Sequence, residues 1–451
     1  MKENPFASLP QIEKLLSSPA LEKWILRISR PLTAEICAEV IEEERNHIRK
    51  GEQPKDTNAI FQSIEKQCEM LYRMRVQKIV NATGIILHTN MGRSPIAPSV
   101  WSLAEEVNTG YSNLELNLAT GKRGQRTGLL PRLLKTLTGG ETSLIVNNNA
   151  AAVYLILSAL AKDREVIVYR GEQVQIGGGF RIPDILAQTG AKLVEVGTTN
   201  ITTAKDYINA VTPETAMVLL VHQSNFVIRG FSQKPDIKEL IKGLPEEVII
   251  AVDQGSGLTD ETIEGEISVQ SYIRAGADIV CFSGDKVLGG PQAGIITGNG
   301  KYIDICAKHP LMRVFRPGKT IYSLLEAFLI EKLNKTARGI AQKVLKIDME
   351  TLKKRGKKIL KGIPKDQADI MPATLLAGGG SSPEKELPSQ AVVLCSNESP
   401  GRIQNFFRMQ DPPVIGTVQD NRFLLNIATI LPEDETHVSF CIKKYFENGE
   451  D

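Results

Sequence analysis

The segment Asp278–Pro291, Asp-Ile-Val-Cys-Phe-Ser-Gly-Asp-Lys-Val-Leu-Gly-Gly-Pro, decides the fold. Its first half is a short apolar run of the kind found in strands buried on both faces. Its second half breaks into Ser283-Gly284-Asp285-Lys286 and then Gly289-Gly290-Pro291, residues that end strands and make tight turns. A lysine thus stands at the mouth of a buried strand. Desolvation lowers the pKa of such an amine, which suits a nucleophile that forms a Schiff base. Taken alone, a surface lysine after a strand is the commoner case.

Working outward, six more apolar runs share this texture: Ser143–Val146, Glu165–Tyr169, Lys192–Val196, Met217–Val221, Val248–Val252 and Gly294–Thr297. Helical stretches such as Ala150–Leu160 lie between several of them. The spacing predicts an α/β fold with a mostly parallel sheet covered on both faces. Ligands of such sheets bind beyond the carboxyl ends of the strands.

Two further strand ends carry chemistry. Val248–Val252 runs into Asp253, and a carboxylate there can keep a pyridine nitrogen protonated. Leu144-Ile145-Val146 runs into Asn147-Asn148-Asn149-Ala150 and a helix, whose start offers free N–H groups to a phosphate. Singly, Asp253 reads as a turn residue and the Asn run as a helix cap. Their order, with Lys286 33 positions after Asp253, is that of fold-type-I enzymes using pyridoxal 5′-phosphate (PLP). The cofactor-binding set is then Lys286, Asp253, Asn147, Asn148, Asn149, Ala150 and Ser283. Asp285, beside the lysine, orients the amine or closes a turn.

Other cofactors fit less well. Gly177-Gly178-Gly179 has the wrong spacing for a dinucleotide loop, and Arg313 stands where a P-loop ending in Gly318-Lys319-Thr320 requires glycine. His88, His222 and His309 are dispersed, so no metal is expected.

The 451 residues exceed one ordinary core. Residues 1–75 predict a small helical domain with Pro31 and Pro54 as breaks, 76–331 a large cofactor-binding domain, and 332–451 a smaller α+β domain. The last holds strands near Ala391–Leu394 and Arg422–Ile427 and a loop at Gly378–Pro383. No apolar run is long enough for a bilayer, and the N-terminus lacks a secretory h-region. Six scattered cysteines without CxxC spacing, Cys281 and Cys395 in apolar runs, read as buried thiols of a cytoplasmic protein. Net charge is only +2, but twelve Lys or Arg stand against three acids from Glu331 to Lys365. That is a surface able to attract a polyanion, or the solvated face of a helix.

The sequence resembles bacterial selenocysteine synthase, the L-seryl-tRNA(Sec) selenium transferase family. The matching runs are Asn81–Gly84, His88–Arg93, Gly110–Glu115, Gly121–Gly124, Val146–Ala152, Arg170–Glu172, Ile176–Asp184, Val196–Asn200, His222 with Ser224-Asn225, and Ser283–Ile296. The resemblance implies conversion of seryl-tRNA(Sec) to selenocysteinyl-tRNA(Sec) through an aminoacrylyl intermediate, with selenophosphate as donor. It further implies that Lys286 carries PLP, that Arg93, Arg313 and Arg316 hold the anionic donor, and that the helical domain binds tRNA. Arg313 and Arg316 are three apart, so one helical face would present both. The family assembles as a ring of dimers, a decamer, so a homo-oligomer is implied. Departures from its pattern stand at Leu129, Gln173, Gln175, Asn426 and Ala428. They raise an alternative, a paralogue acting as a PLP-dependent eliminase or ammonia-lyase on a small amino acid or amino sugar.

Overall fold

The computed structural model describes residues 5–173, 175–176, 179–222, 226, 228–259, 266–335, 339–379 and 381–447. Gly177-Gly178 and Ser224-Asn225 lie outside them. The chain divides into two compact units, Met1–Lys78 and Ile79–Asp451.

The first unit packs helices Pro19–Ile28, Arg30–Arg49 and Thr57–Arg73 around Leu21, Trp24, Ile36, Val40, Ile60 and Ile64. Ser18 and Asp56 cap two of them, accepting from the Ala20 and Ala59 amides. The chain breaks between the first two of these helices at Ser29, and Pro31 sits in the first turn of Arg30–Arg49, where its missing N–H costs nothing.

In the second unit all seven expected strands form one sheet: β1 (Thr142–Val146), β2 (Glu165–Tyr169), β3 (Lys192–Val196), β4 (Thr215–Val221), β5 (Ile249–Gly255), β6 (Ile279–Ser283) and β7 (Gly294–Gly298). Their order is β1-β7-β6-β5-β4-β2-β3. β7 runs antiparallel to both its neighbours, and the other adjacent pairs are parallel. Alternate residues feed opposite cores, as the pleat requires: Ile145 and Ile167 join Leu324, Leu325 and Phe328, while Val146, Val166 and Val168 join Ala152, Leu155 and Ile156. The sheet is therefore covered by helix Lys319–Leu333 on one face and Asn149–Leu160 on the other.

A second sheet joins Thr417–Gln419, Arg422–Asn426, Ser381–Leu394, Ala368–Gly378 and Ile85–Leu87 in that order. The expected loop at Gly378–Pro383 is the turn of its long hairpin, and strand pairing resumes at Ser381. Gly378 and Gly379 turn the chain at φ +69° and +63°; Gly380 lies outside the described residues. Strand Ala368–Gly378 was hidden in the sequence by Pro372. Cys395, expected buried, is exposed because it lies one residue past the strand end at Leu394. Among the described residues no helix is long and apolar enough to cross a membrane.

Candidate active site

The ends of β1, β4, β5 and β6 open on one cavity of about 290 Å³. Lys286, Asp253, Asn148, Asn149, Ala150, Ser283, Asp285 and Arg93 all line it. Close packing fixes this wall: a Cβ on Gly294 would collide with the Asn148 carbonyl oxygen, and one on Gly257 would come within 2.5 Å of the Ser283 carbonyl oxygen.

Asn148 caps helix Asn149–Leu160, its Oδ1 accepting from the Ala151 amide at 2.9 Å. The amides of Asn149 and Ala150 precede the first intrahelical bond and remain for an anion. Asn149 Nδ2 donates to Asp253 Oδ1 at 2.7 Å, and Asn149 Oδ1 is buried without a hydrogen-bond partner among the described residues. Asp253 also lies 3.9 Å from the Cys281 thiol. Burial pushes its carboxyl up, against the Asn149 hydrogen bond and the charge of Lys286. Burial likewise pulls the Lys286 amine down, while Asp253 acts to raise it. Arg93, held at φ +61°, donates to Asp285 Oδ2 at 2.9 Å, and the Ser94 amide donates to the Asp285 carbonyl. The Asp285 carboxylate is thus engaged by Arg93.

Three expected residues lie elsewhere. Asn147 turns away: its amide donates to the Phe315 carbonyl at 2.9 Å and its side chain reaches Val314. It ties the turn to the segment bearing the two arginines instead of facing the cavity. Arg313 and Arg316 do not share a helical face, because the helix is only Met312–Phe315 and Arg316 is already extended at ψ 133°. Arg313 is exposed. Arg316 donates to Glu115 Oε1 at 3.3 Å, where Arg126 and Arg123 also converge, and lines a separate cavity of about 760 Å³. The residue missed as a site member is His222, which lines the Lys286 cavity directly after β4. Its place just past an apolar strand was the available signal.

The departures from the family pattern keep clear of the Lys286 cavity. The Leu129 amide donates to Glu326, Gln173 bonds Glu195, and Gln175 accepts from Arg181. Asn426 is buried in the second sheet, bonded to Thr374, Ser389 and the Ala428 amide.

The model of the L-seryl-tRNA selenium transferase family matches residues 79–431. This chain belongs to that family. It is 38% identical over 455 residues to the L-seryl-tRNA(Sec) selenium transferase of Alkaliphilus oremlandii (strain OhILAs), covering 95% of this chain and 96% of that one. Identity to the Solidesulfovibrio magneticus enzyme of the same name is 40% over 457 residues, 96% of each chain. A solved D-glucosaminate-6-phosphate ammonia-lyase superposes with a TM-score of 0.59 at 18% identity, over 85% of this chain and 99% of that one. That likeness shows the shared fold.

The selenium transferase site fits PLP on its own geometry. A helix N-terminus and Ser283 stand ready for a phosphate, a buried carboxylate for a ring nitrogen, and a desolvated amine for an aldehyde, all on one cavity.

Proposed function

We propose that this chain converts L-seryl-tRNA(Sec) to L-selenocysteinyl-tRNA(Sec) with selenophosphate as the selenium donor, using PLP held by Lys286. The observation that carries the reading is the pairing of a cavity suited to PLP with near-full-length similarity to enzymes of that name. Those relatives span 95–96% of this chain, whereas the ammonia-lyase spans 85%. No observation favours the small-substrate eliminase over this reading.

PLP supplies an electron sink that lets a serine lose its Cα proton and β-hydroxyl and accept selenium. The protein does the rest. The Asn149 and Ala150 amides with Ser283 would hold the phosphate. Asp253, kept in place by Asn149, would set a carboxylate against the ring nitrogen. The Lys286 amine, uncharged more readily because it is buried, takes the Cα proton at Nζ. Arg93, fixed by Asp285, offers a guanidinium for the anionic donor. Arg313 and Arg316 lie outside the Lys286 cavity of their own chain, and we assign them to the donor site completed by a neighbouring subunit in a homo-oligomeric ring of dimers. The helical unit is read as the tRNA-binding part, and the enzyme as cytoplasmic.

Purified protein loaded with PLP should absorb near ~420 nm, the usual band of a PLP–lysine linkage. Lys286→Ala should abolish that band; a wild type that stays colourless with PLP overturns the cofactor assignment. A gel shift comparing tRNA(Sec) with bulk tRNA(Ser) tests the substrate. Equal or absent binding at moderate salt sinks the specific-tRNA reading.

A further inference from the structure

His222 is a titratable residue of the cavity to which the reaction above gives no role. Its main-chain amide donates to the Asp253 carbonyl at 2.9 Å, which extends the β4–β5 pairing by one step and fixes the ring beside the Asp253 strand. The side chain is 15% exposed. Nε2 is buried and has no hydrogen-bond partner among the described residues. Facing it at 4.0 Å is Glu266 Oε1, on a side chain only 2% exposed.

Glu266 is held from behind. Its Oε2 accepts from Ser256 Oγ at 2.8 Å, and that hydroxyl accepts from Gln254 Nε2 at 2.7 Å. The other end of Gln254 accepts from the Gly257 amide at 2.8 Å. A chain of side chains just past β5 thus delivers a buried carboxylate to an imidazole. A carboxylate behind an imidazole selects the tautomer with its proton on the facing nitrogen and frees the other nitrogen. The charged groups around His222 are Glu266, Lys234 and Lys286, with Asp253 on the same cavity and Lys234 itself 3.8 Å from Glu172. Burial holds the imidazole low, against the pull of Glu266, which favours the neutral ring and makes its tautomer matter.

We propose that His222 is a hydrogen-bonding partner of the cofactor held at Lys286, and that Glu266 positions it by keeping the ring proton on the facing Nε2, which leaves Nδ1 as an acceptor for the cavity. The inference rests on the PLP reading. In it, Glu266 touches neither substrate nor cofactor; its charge reaches Lys286 directly as well, and its positioning role runs through His222.

The test is the pH titration of the ~420 nm band in the PLP-loaded enzyme, read without turnover. Replacing the Glu266 carboxylate by an amide removes negative charge behind the ring, which disfavours the protonated chromophore. Glu266→Gln should therefore lower the titration midpoint by about one unit, the scale of a nearby charge. Glu266→Asp should restore part of the shift. Ser256→Ala, which frees the carboxylate, should move it in the same direction by less. His222→Asn should shift the midpoint too, and adding Glu266→Gln to that variant should move it by clearly less than in the wild-type background, because coupled residues are not additive. An unmoved midpoint in Glu266→Gln, or a shift of undiminished size in the His222→Asn background, overturns the proposal. If Glu266→Gln does not fold, Ser256→Ala and His222→Asn give the same decision. A wild type with no band fails the cofactor reading instead, so the two failures are distinguishable.

Discussion

Two charged regions of the catalytic unit are built in opposite ways. At the Lys286 cavity, Lys286, Asp253 and Asp285 are all buried; Asn149 donates to Asp253, Arg93 pairs with Asp285, and the charge of Asp253 acts on Lys286. At Glu115, three guanidiniums, from Arg123, Arg126 and Arg316, share one carboxylate at a more open surface. The Arg126 hydrogen bond leads in holding the Glu115 carboxyl below its usual range. The first region is buried, suited to hold one group and shift its protons. The second carries surplus positive charge in planar forks, suited to a mobile anion. Burial makes charge specific, and exposure makes it available.

The largest effect expected is at the buried pole. Asp253→Asn keeps the shape and removes the charge, so kcat should fall on the order of 10²–10³-fold, as when a preorganised electrostatic partner is lost. The loss should be equal at low and high salt, since buried pairs are little screened. A loss that salt relieves would break the comparison.

Next is Glu172, whose Oε2 accepts from the Val221 amide beside His222. Burial pushes its carboxyl up from the usual 4.5 to about 7, against the charge of Lys234. In the unfolded chain the group ionises above its usual value, while the folded chain keeps the proton longer. The stability contribution is therefore present below pH 4.5 and lost as pH rises to about 7. At roughly 1.4 kcal/mol per unit, it amounts to about 3 kcal/mol. Urea denaturation across that range should show the decline, and Glu172→Gln should flatten it. An unchanged slope in that variant would assign the decline to other groups.

At the exposed pole, Arg316→Ala should raise KM for selenophosphate about tenfold, the scale of one charge-assisted hydrogen bond. The ~420 nm band should not move. A changed band would mean the two regions are coupled within one chain.

The smallest effect concerns the basic run after Glu331. Part of it is structural: Arg355 and Lys358 reach the buried Glu435 at 2.6 and 2.8 Å, and Lys354 pairs with Glu350. Lys353 and Lys357 are exposed and one turn apart on helix Met349–Ile359. If they meet RNA, replacing both by Gln should flatten the log–log salt dependence of tRNA binding by ~0.7–0.9 per lysine. An unchanged slope would leave them as a solvated helix face.

The sequence was most informative where one strand end carries both fold and chemistry. Strands inside a covered sheet read as apolar runs, the antiparallel β7 included, so all seven were visible, and the polar residue after each marked its carboxyl end. Lys286, Asp253 and Asn148–Ala150 were legible because strand order alone brings those ends together. His222 was passed over because its meaning depends on Glu266, 44 positions away and unrelated to it by any local period. Asn147 was misread because its neighbours look identical in sequence, and only the turn decides which one faces the cavity.

The chain by itself determined the sheet, the order of its strands' chemistry and the lysine at the mouth of β6, since periodicity and burial are written residue by residue. Tertiary structure alone decided that Asp285 answers to Arg93, that Glu266 stands behind His222, and that Arg316 turns to Glu115. These are pairings between distant segments, and electrostatics acts on distance in space, which no local pattern encodes.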